Sequence, residues 1–259
     1  MNNMNILCIG DVVGECGVQK VQKELHHLVE QEKIDFVICN AENSADGMGI
    51  TEKIFKQLQQ AGVHVMTMGN HTWGKKDIFK IIDKKELLVP ANYSKDAPGN
   101  RYGIYICQGK KIGVINLIGR VDMNVLSDNP FTTIDAILKK IKNETDIILV
   151  DFHAEATAEK IAMGYYLDGR VNAVYGTHTH VQTADEKILT KGTAYITDIG
   201  MTGPDDSVIG MSKEASLKRF VTSLPERYKV GEGKAMLNSV IISISDEDCR
   251  TIKIHRRNL

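Results

Sequence analysis

The sequence predicts an α/β fold built from mixed sheets. Short apolar runs that are typical of buried strands recur along the chain, and they alternate with stretches whose apolar residues have helical spacing. Polar residues that can bind metal ions directly follow several of these apolar runs. No linker rich in Pro, Gly or Ser divides the 259 residues, so we expect a single domain over residues 1–259.

The first part of the chain alternates between predicted strands and predicted helices. The strands are apolar runs that stop at glycine or polar residues, at 5–9, 36–39 and 63–68. The helices have apolar residues three and four positions apart and cover 18–29, 51–58 and 77–82. Thr51 stands where the N-cap of the second helix is expected.

The later part begins with a change of pattern. Two runs, 102–107 and 111–117, flank a Gln-Gly-Lys turn and predict an antiparallel hairpin. The remaining predicted strands are 147–150, 171–175 and 194–197, followed by a terminal β pair at 236–244 and 251–254. The remaining predicted helices are 134–141, 156–163 and 213–221.

The composition excludes several classes of protein. Hydrophobic residues make up 42% and charged residues 25%, which is ordinary for a globular chain, and the net charge is −1. A protein that coats nucleic acid is usually strongly basic, so we expect no stable nucleic-acid complex. No stretch approaches the roughly 18 apolar residues of a membrane span, and the first apolar run is too short for a signal peptide.

The cysteines favour a cytoplasmic location. The chain has five, an odd number, and none forms a CxxC pair, so we interpret them as reduced thiols of a cytoplasmic protein. The sequence leaves the oligomeric state open, a homo-oligomer included.

The polar residues at the predicted strand ends carry the functional information. In open α/β sheets, sites gather beyond the carboxyl ends of the strands, where loops aim polar groups into a cleft. The residues in this position are Asp11, Glu42, Asn43, Asn70, His71, His153, His178 and His180.

Several of these residues also have simpler interpretations. Asp11 could equally cap the following helix, while the glycines around it lack the spacing of a dinucleotide-binding loop. Asn43 is a common turn former, but a turn has no need of Glu42, whose carboxylate can bridge two cations.

The His178-Thr-His180 motif is the strongest single signal. Side chains two apart in an extended segment share a face, and a metal ion holds two neighbouring imidazoles neutral. With His153, the set comprises three histidines, two carboxylates and two asparagines, which suits Mn, Fe or Zn. Seven ligands would crowd one ion, whereas two ions that share Glu42 would accommodate them.

The motifs resemble those of a known family. The chain resembles the calcineurin-like metallophosphoesterase superfamily, and more specifically the bacterial YmdB-type phosphodiesterases, in nearly its whole length. The blocks that carry the resemblance are GDVVG, NAENSADGMGIT, MGNHTW, DFHAEAT, GTHTHVQTAD and TDIGMTGP.

The resemblance implies a four-layer α/β-β-α sandwich with a dinuclear metal site and hydrolysis of cyclic nucleotides, the 2′,3′-cyclic kind above all and 3′,5′-cyclic AMP as a further substrate. It implies two divalent or mixed-valence ions, Fe or Mn first and Zn third. Asp11, Asn43 and His180 would serve one ion, Asn70, His153 and His178 the other, and Glu42 would bridge them. A metal-held hydroxide would attack the phosphodiester, and His71 would protonate the leaving oxygen.

The chain departs from the wider superfamily pattern. Val13 stands where the usual D-x-H motif has its histidine, so Asn43 must take that coordination position. The alternatives that remain are a phosphomonoesterase or nuclease at the same site, and a regulatory protein that binds a nucleotide without hydrolysing it. A monoesterase would need more positive charge at the phosphate, for which Arg120 and Arg170 are the candidates.

Overall fold

The first strand shows why the apolar runs are continuous. In the computed structural model, which describes residues 3–259, Ile6 and Cys8 of β1 (Asn3–Ile9) face the space between two sheets. Leu7 and Ile9 face the opposite way and pack under helices. Because successive side chains of a strand point to opposite faces, a strand that is covered on both faces is apolar throughout.

The elements follow one another in a regular order. They are β1, β2 (Asp11–Val12), α1 (Gly14–Glu32), β3 (Phe36–Asn40), α2 (Glu52–Ala61), β4 (Val65–Thr67), a 3₁₀ helix (Lys76–Lys80), β5 (Leu87–Leu88), β6 (Tyr102–Cys107), β7 (Lys110–Ile118), α3 (Pro130–Ile141), β8 (Ile147–His153), α4 (Thr157–Leu167), β9 (Ala173–Thr177), β10 (Lys187–Ile188), β11 (Ala194–Ile196), β12 (Met201–Pro204), α5 (Lys213–Thr222), β13 (Ala235–Ser245) and β14 (Thr251–Asn258).

Both sheets are mixed, as the sequence predicts. The first has the order β2-β12-β13-β1-β3-β4-β5, with β14 beside β13; β1, β3, β4 and β5 run parallel, and β13 runs antiparallel to β1. The second has the order β10-β11-β9-β8-β7-β6, with β7, β8, β9 and β11 parallel. The predicted hairpin is present as the antiparallel pair of β6 and β7.

The layers confirm the four-layer α/β-β-α sandwich. The inner faces of the sheets meet in one apolar cluster, to which Ile38 and Ile242 contribute from the first sheet and Val114 and Leu149 from the second. Helices α1 and α2 cover the outer face of the first sheet. Helices α3 and α4 cover the outer face of the second. Within residues 3–259, every helix is too short or too polar to cross a membrane.

Some local predictions needed correction. The helix predicted at 77–82 is a 3₁₀ helix over Lys76–Lys80, and β12, with the sequence Met-Thr-Gly-Pro, was not predicted as a strand at all. Asp11 does not cap α1, because the N-cap is Val13 and no side chain bonds to the helix start. Thr51 does cap α2, since its Oγ1 accepts a hydrogen bond from the Ile54 N–H at 3.3 Å.

We predict that Thr51→Ala lowers the free energy of unfolding by about 1 kcal/mol, because the first turn of α2 loses the oxygen that its N–H group donates to. Urea unfolding monitored by circular dichroism measures the change. Thr51→Ser keeps the oxygen and serves as the control; a serine variant as unstable as the alanine variant would contradict a capping role.

Candidate metal centre

The predicted site residues all lie at one rim of the sandwich, where strands of both sheets end. Because β1, β3 and β4 are parallel in one sheet and β8 and β9 are parallel in the other, their carboxyl ends can meet at the same edge. Asp11 follows β1, Glu42 and Asn43 follow β3, Asn70 and His71 follow β4, His153 ends β8, and His178 and His180 follow β9.

One group of ligand atoms surrounds the Nε2 atom of His153. This nitrogen lies 2.8 Å from Asn70 Oδ1, 2.9 Å from Glu42 Oε1 and 3.1 Å from His178 Nδ1. Ligand atoms of Glu42, His153 and His178 all lie within 4.8 Å of one another. Nitrogen and oxygen atoms gathered in this way suit a transition-metal ion.

A second group lies next to the first and centres on Asp11. Its Oδ1 atom is 3.8 Å from His180 Nε2, and His180 Nε2 is 3.1 Å from the Asn43 amide. Asp11 is fully buried, yet its Oδ1 atom has no hydrogen-bond partner within residues 3–259. A buried carboxylate oxygen without a partner is costly, so this atom fits a position that a cation would occupy.

Asn43 is held in an orientation that the sequence could not predict. Its Oδ1 atom accepts from His71 Nδ1 at 2.7 Å, while its Nδ2 atom faces His180 and Glu42. An amide nitrogen is a hydrogen-bond donor and offers no lone pair to a metal. A half-turn of the amide would exchange the two atoms without changing its shape, and would place the oxygen toward His180 instead.

The hydrogen bonds of His153 fix which of its nitrogens carries a proton. Thr177 Oγ1 donates its single proton to Asp151 Oδ1 at 2.8 Å, so toward His153 Nδ1, 2.9 Å away, it can only accept. Asn40 Nδ2 lies farther from this nitrogen, at 3.3 Å, so the shorter Thr177 contact favours a proton on His153 Nδ1. In the neutral ring this leaves the lone pair on Nε2, which faces the ligand atoms of the first group.

The other two histidines are oriented in the same manner. His178 Nε2 lies 3.1 Å from Glu155 Oε2, and His180 Nδ1 lies 2.8 Å from the carbonyl oxygen of Ile209. Each of these oxygens can only accept, so each ring donates its outer N–H and turns its remaining nitrogen inward. In their neutral forms the three rings direct lone pairs toward one rim, as a metal site requires.

The local conformation of the His178-Thr-His180 motif differs from the prediction. We expected an extended segment, but the backbone φ angles are +102° at His178 and +64° at His180. Side chains with a Cβ seldom adopt this region, and each such residue costs about 1–3 kcal/mol. The two imidazoles therefore reach the rim because the chain turns sharply after β9, and not because they share the face of a strand.

A buried ion pair holds this turn in place. Asp198 Oδ2 accepts from the N–H and the hydroxyl of Thr179, at 3.1 and 2.8 Å, and from Lys160 Nζ at 2.7 Å. Asp198 Oδ1 accepts from the Gly200 N–H at 2.8 Å. The Lys160 and Asp198 side chains are each 1% exposed. The residue between the two site histidines is thus tied directly to the core.

The electrostatics of the rim favour a positive charge. Burial raises the pKa of Asp11. Burial also raises the pKa of Glu42, but the charge of His153 outweighs it and lowers that pKa to about 2. For His153, burial lowers the pKa and the Glu42 charge raises it to about 9. Burial, with His153 alongside, lowers the pKa of His178 to about 3, which keeps that ring neutral.

Sequence reasoning missed the residues that support the predicted ones. Asp198 stood at the end of a predicted strand and could have been found by that signal, and Glu155 lies in the loop that follows His153. Nothing in the sequence marks Lys160 or Thr177, because their partners are far away along the chain.

We predict that Lys160→Met lowers the free energy of unfolding by about 3–5 kcal/mol, since it leaves the buried Asp198 charge without its partner. Lys56→Met is the matched control, because Lys56 forms an exposed pair with Glu52 and its loss should cost less than about 1 kcal/mol. Urea unfolding of both variants makes the comparison. Equal losses would show that the Lys160 pair contributes no more than a surface pair.

Comparisons with known proteins find similar sequences over nearly the whole chain. A family model described as YmdB-like protein matches residues 7–257. Over 254 residues the chain is 50% identical to the 2′,3′-cyclic-nucleotide 2′-phosphodiesterase of Bacillus subtilis (strain 168), covering 98% of this chain and 96% of that protein.

Solved structures give the same result for the fold. A novel phosphatase from Mycoplasma pneumoniae superimposes with a TM-score of 0.94 at 37% identity, covering 100% of this chain and 94% of that chain. The NAD nucleotidase of Haemophilus influenzae has a TM-score of 0.60 at 13% identity, covering 100% of this chain and 56% of that chain; it shares the fold alone.

Proposed function

The chain belongs to the YmdB-like family, and on this premise we propose that it is a metal-dependent phosphoric diester hydrolase that acts on 2′,3′-cyclic nucleotides. The observation that carries the proposal is the convergence of Glu42, Asn70 and His178 on one nitrogen of His153, at a rim where Asp11 keeps an unpartnered oxygen. The name of the Bacillus subtilis relative supplies the substrate class.

We assign the ligands to two ions according to the two groups of atoms. Asp11, Asn43 and His180 would hold one ion, and Asn70, His153 and His178 the other. Glu42 would bridge them, which is supported by the position of its Oε1 atom, 2.9 Å from His153 Nε2 and 3.3 Å from Asn43 Nδ2. Fe or Mn suits this mixture of nitrogen and oxygen first, with Zn as the third choice.

Bound ions of this kind supply positive charge that lowers the pKa of a water molecule and polarises phosphoryl oxygens. The protein's own contribution is to hold its ligands rigidly. The imidazoles are fixed by their outer hydrogen bonds, and the strand ends that carry them are part of the buried sheets. Water for the reaction can reach the rim, because His71 at its edge is 33% exposed.

We assign the role of general acid to His71. Its main-chain N–H donates to Glu42 Oε2 at 2.9 Å, and its Nδ1 lies 2.7 Å from the Asn43 amide, so the ring is anchored beside the ligand groups. With that amide turned so that its oxygen serves as a ligand, Asn43 Nδ2 would donate to Nδ1, which leaves the ring proton on Nε2. Its Nε2 atom has no protein partner in the described chain and can carry a proton to the leaving sugar oxygen. Cleavage of the bond to O2′ would leave a nucleoside 3′-phosphate.

The positions of the arginines bear on the alternatives. Arg170 is bound to Asp135 on α3, and the main-chain N–H of Arg120 donates to Glu159 on α4. Neither guanidinium forms a hydrogen bond or an ion pair with a residue of the rim in the described chain. Arg120 follows Gly119, whose N–H donates to the His153 carbonyl oxygen at 2.9 Å, so of the two arginines Arg120 is the one beside the rim, and the monoesterase alternative is decided by the choice of substrate in the test below.

The test is hydrolysis of 2′,3′-cyclic AMP by the protein loaded with Mn, followed by identification of the product, with 3′,5′-cyclic AMP as a second substrate. We expect turnover that a chelator abolishes and that Mn restores. Binding of the nucleotide to the metal-loaded protein without any turnover would contradict the proposal and favour a nucleotide sensor. Turnover of nucleoside monophosphates alone would favour a phosphomonoesterase.

We predict that His71→Ala keeps its metal content but loses about 10²- to 10⁴-fold in kcat, because the leaving oxygen then departs without a proton. His178→Ala is the contrasting variant, since it removes a proposed ligand and should lower the metal content measured by elemental analysis. Unchanged kcat in His71→Ala would exclude His71 as the acid, whichever substrate is used.

A further inference from the structure

Two aromatic side chains are exposed beside the candidate metal centre. Trp73 is 38% exposed and Phe79 is 57% exposed. Their ring centroids are 5.9 Å apart and their planes differ by 15°, so the two rings lie nearly parallel. Trp73 also contacts the ring of Tyr93, which is buried, at 6.0 Å. The pair therefore continues an aromatic cluster from the core out to the solvent.

The chain between the centre and these rings is short and tightly turned. Trp73 comes two residues after His71, and the Gly74 N–H donates to the His71 carbonyl oxygen at 2.9 Å. Tyr93 fixes the start of the turn, because its hydroxyl donates to the Gly69 carbonyl oxygen at 2.9 Å. The indole is thereby held close to the residue to which we assign proton transfer.

The segment that carries the Phe79 ring is also anchored. Phe79 lies on the 3₁₀ helix, whose Ile78 side chain is fully buried and anchors the segment in the core. Asp77, on the same short helix, accepts from the Glu52 N–H at the start of α2, at 2.7 Å. Ile78 and Tyr93 are buried side chains of this region. The exposed faces of Trp73 and Phe79 therefore do not serve to fill the core.

We propose that Trp73 and Phe79, which we call the aromatic platform, bind the base of the nucleotide by stacking. The inference rests on the proposed function, and it adds the part of the protein that recognises the base. Every nucleobase has a π-face, so stacking is tolerant of base identity. The platform thus takes purine and pyrimidine nucleotides alike, and it discriminates a nucleotide from a phosphodiester that has no base.

The first experiment compares two cyclic phosphodiesters in the metal-loaded protein. The substrate 2′,3′-cyclic AMP carries a base, whereas glycerol 1,2-cyclic phosphate has the same five-membered ring and no base. For Trp73→Ala we expect kcat/KM for the nucleotide to fall about 5- to 150-fold, which is the usual value of one base stacked on an aromatic ring. The kcat/KM for the glycerol ester should stay unchanged.

Matched variants separate stacking from a general loss of structure. Trp73→Phe keeps an aromatic face and should recover most of the activity toward the nucleotide. Phe220→Ala removes an aromatic ring that is 76% exposed on α5 and should change neither substrate. Equal losses on both substrates in Trp73→Ala would show a merely structural role, and no loss on either would equally overturn the platform.

The second experiment needs no turnover. Trp73 is the one tryptophan of the chain, so the intrinsic fluorescence of the protein reports on the platform directly. We expect saturable quenching by adenosine 3′-monophosphate and by cytidine 3′-monophosphate, and none by inorganic phosphate. Absence of quenching by both nucleotides would overturn the inference. A wild-type protein that hydrolyses neither cyclic ester but shows the quenching would refute the proposed function and keep the platform.

Discussion

The arrangement of the rim depends on the burial of two carboxylates, those of Asp11 and Glu42. Both side chains are fully buried, and an isolated buried charge costs several kcal/mol even after the surroundings relax. Imidazole nitrogens face the two carboxylates and offset part of this cost. One Asp11 oxygen has no hydrogen-bond partner in the described chain. Such an arrangement of buried carboxylates and imidazoles favours the entry of a cation.

The strain around this site is supported from outside. Two neighbouring histidines have left-handed backbone angles, which a free chain would avoid, and the residue between them is bound by a carboxylate that a buried lysine neutralises. Glycine is necessary at position 69, in the loop after β4, because a Cβ atom there would collide with the His153 ring. The backbone strain at His178 and His180 costs stability, and the bonds from the buried Lys160–Asp198 pair to Thr179 hold the strained turn in place.

The proposed division of tasks follows from where each group is attached. The proposed ligands lie at or just after strand ends of both sheets, which ties them to the buried sheets. The aromatic platform lies on a turn and a 3₁₀ helix outside the sheets, a few residues from His71. A substrate that spans both would have its phosphate held by charge and its base held by stacking, so each end is recognised by the interaction suited to it.

The sequence by itself determined the α/β class, the mixed sheets and the polar residues at the rim, whereas the four layers followed from the resemblance to a known family. Apolar runs such as 36–39 are typical of interior strands that are buried on both faces, and the polar residues that follow them are expected at the strand ends. The sequence could not determine the turn at His178 and His180, the orientation of Asn43, or the pairing of Lys160 with Asp198. Only the tertiary structure decided these features, because each depends on atoms that are distant along the chain, and local periodicity carries no information about such contacts.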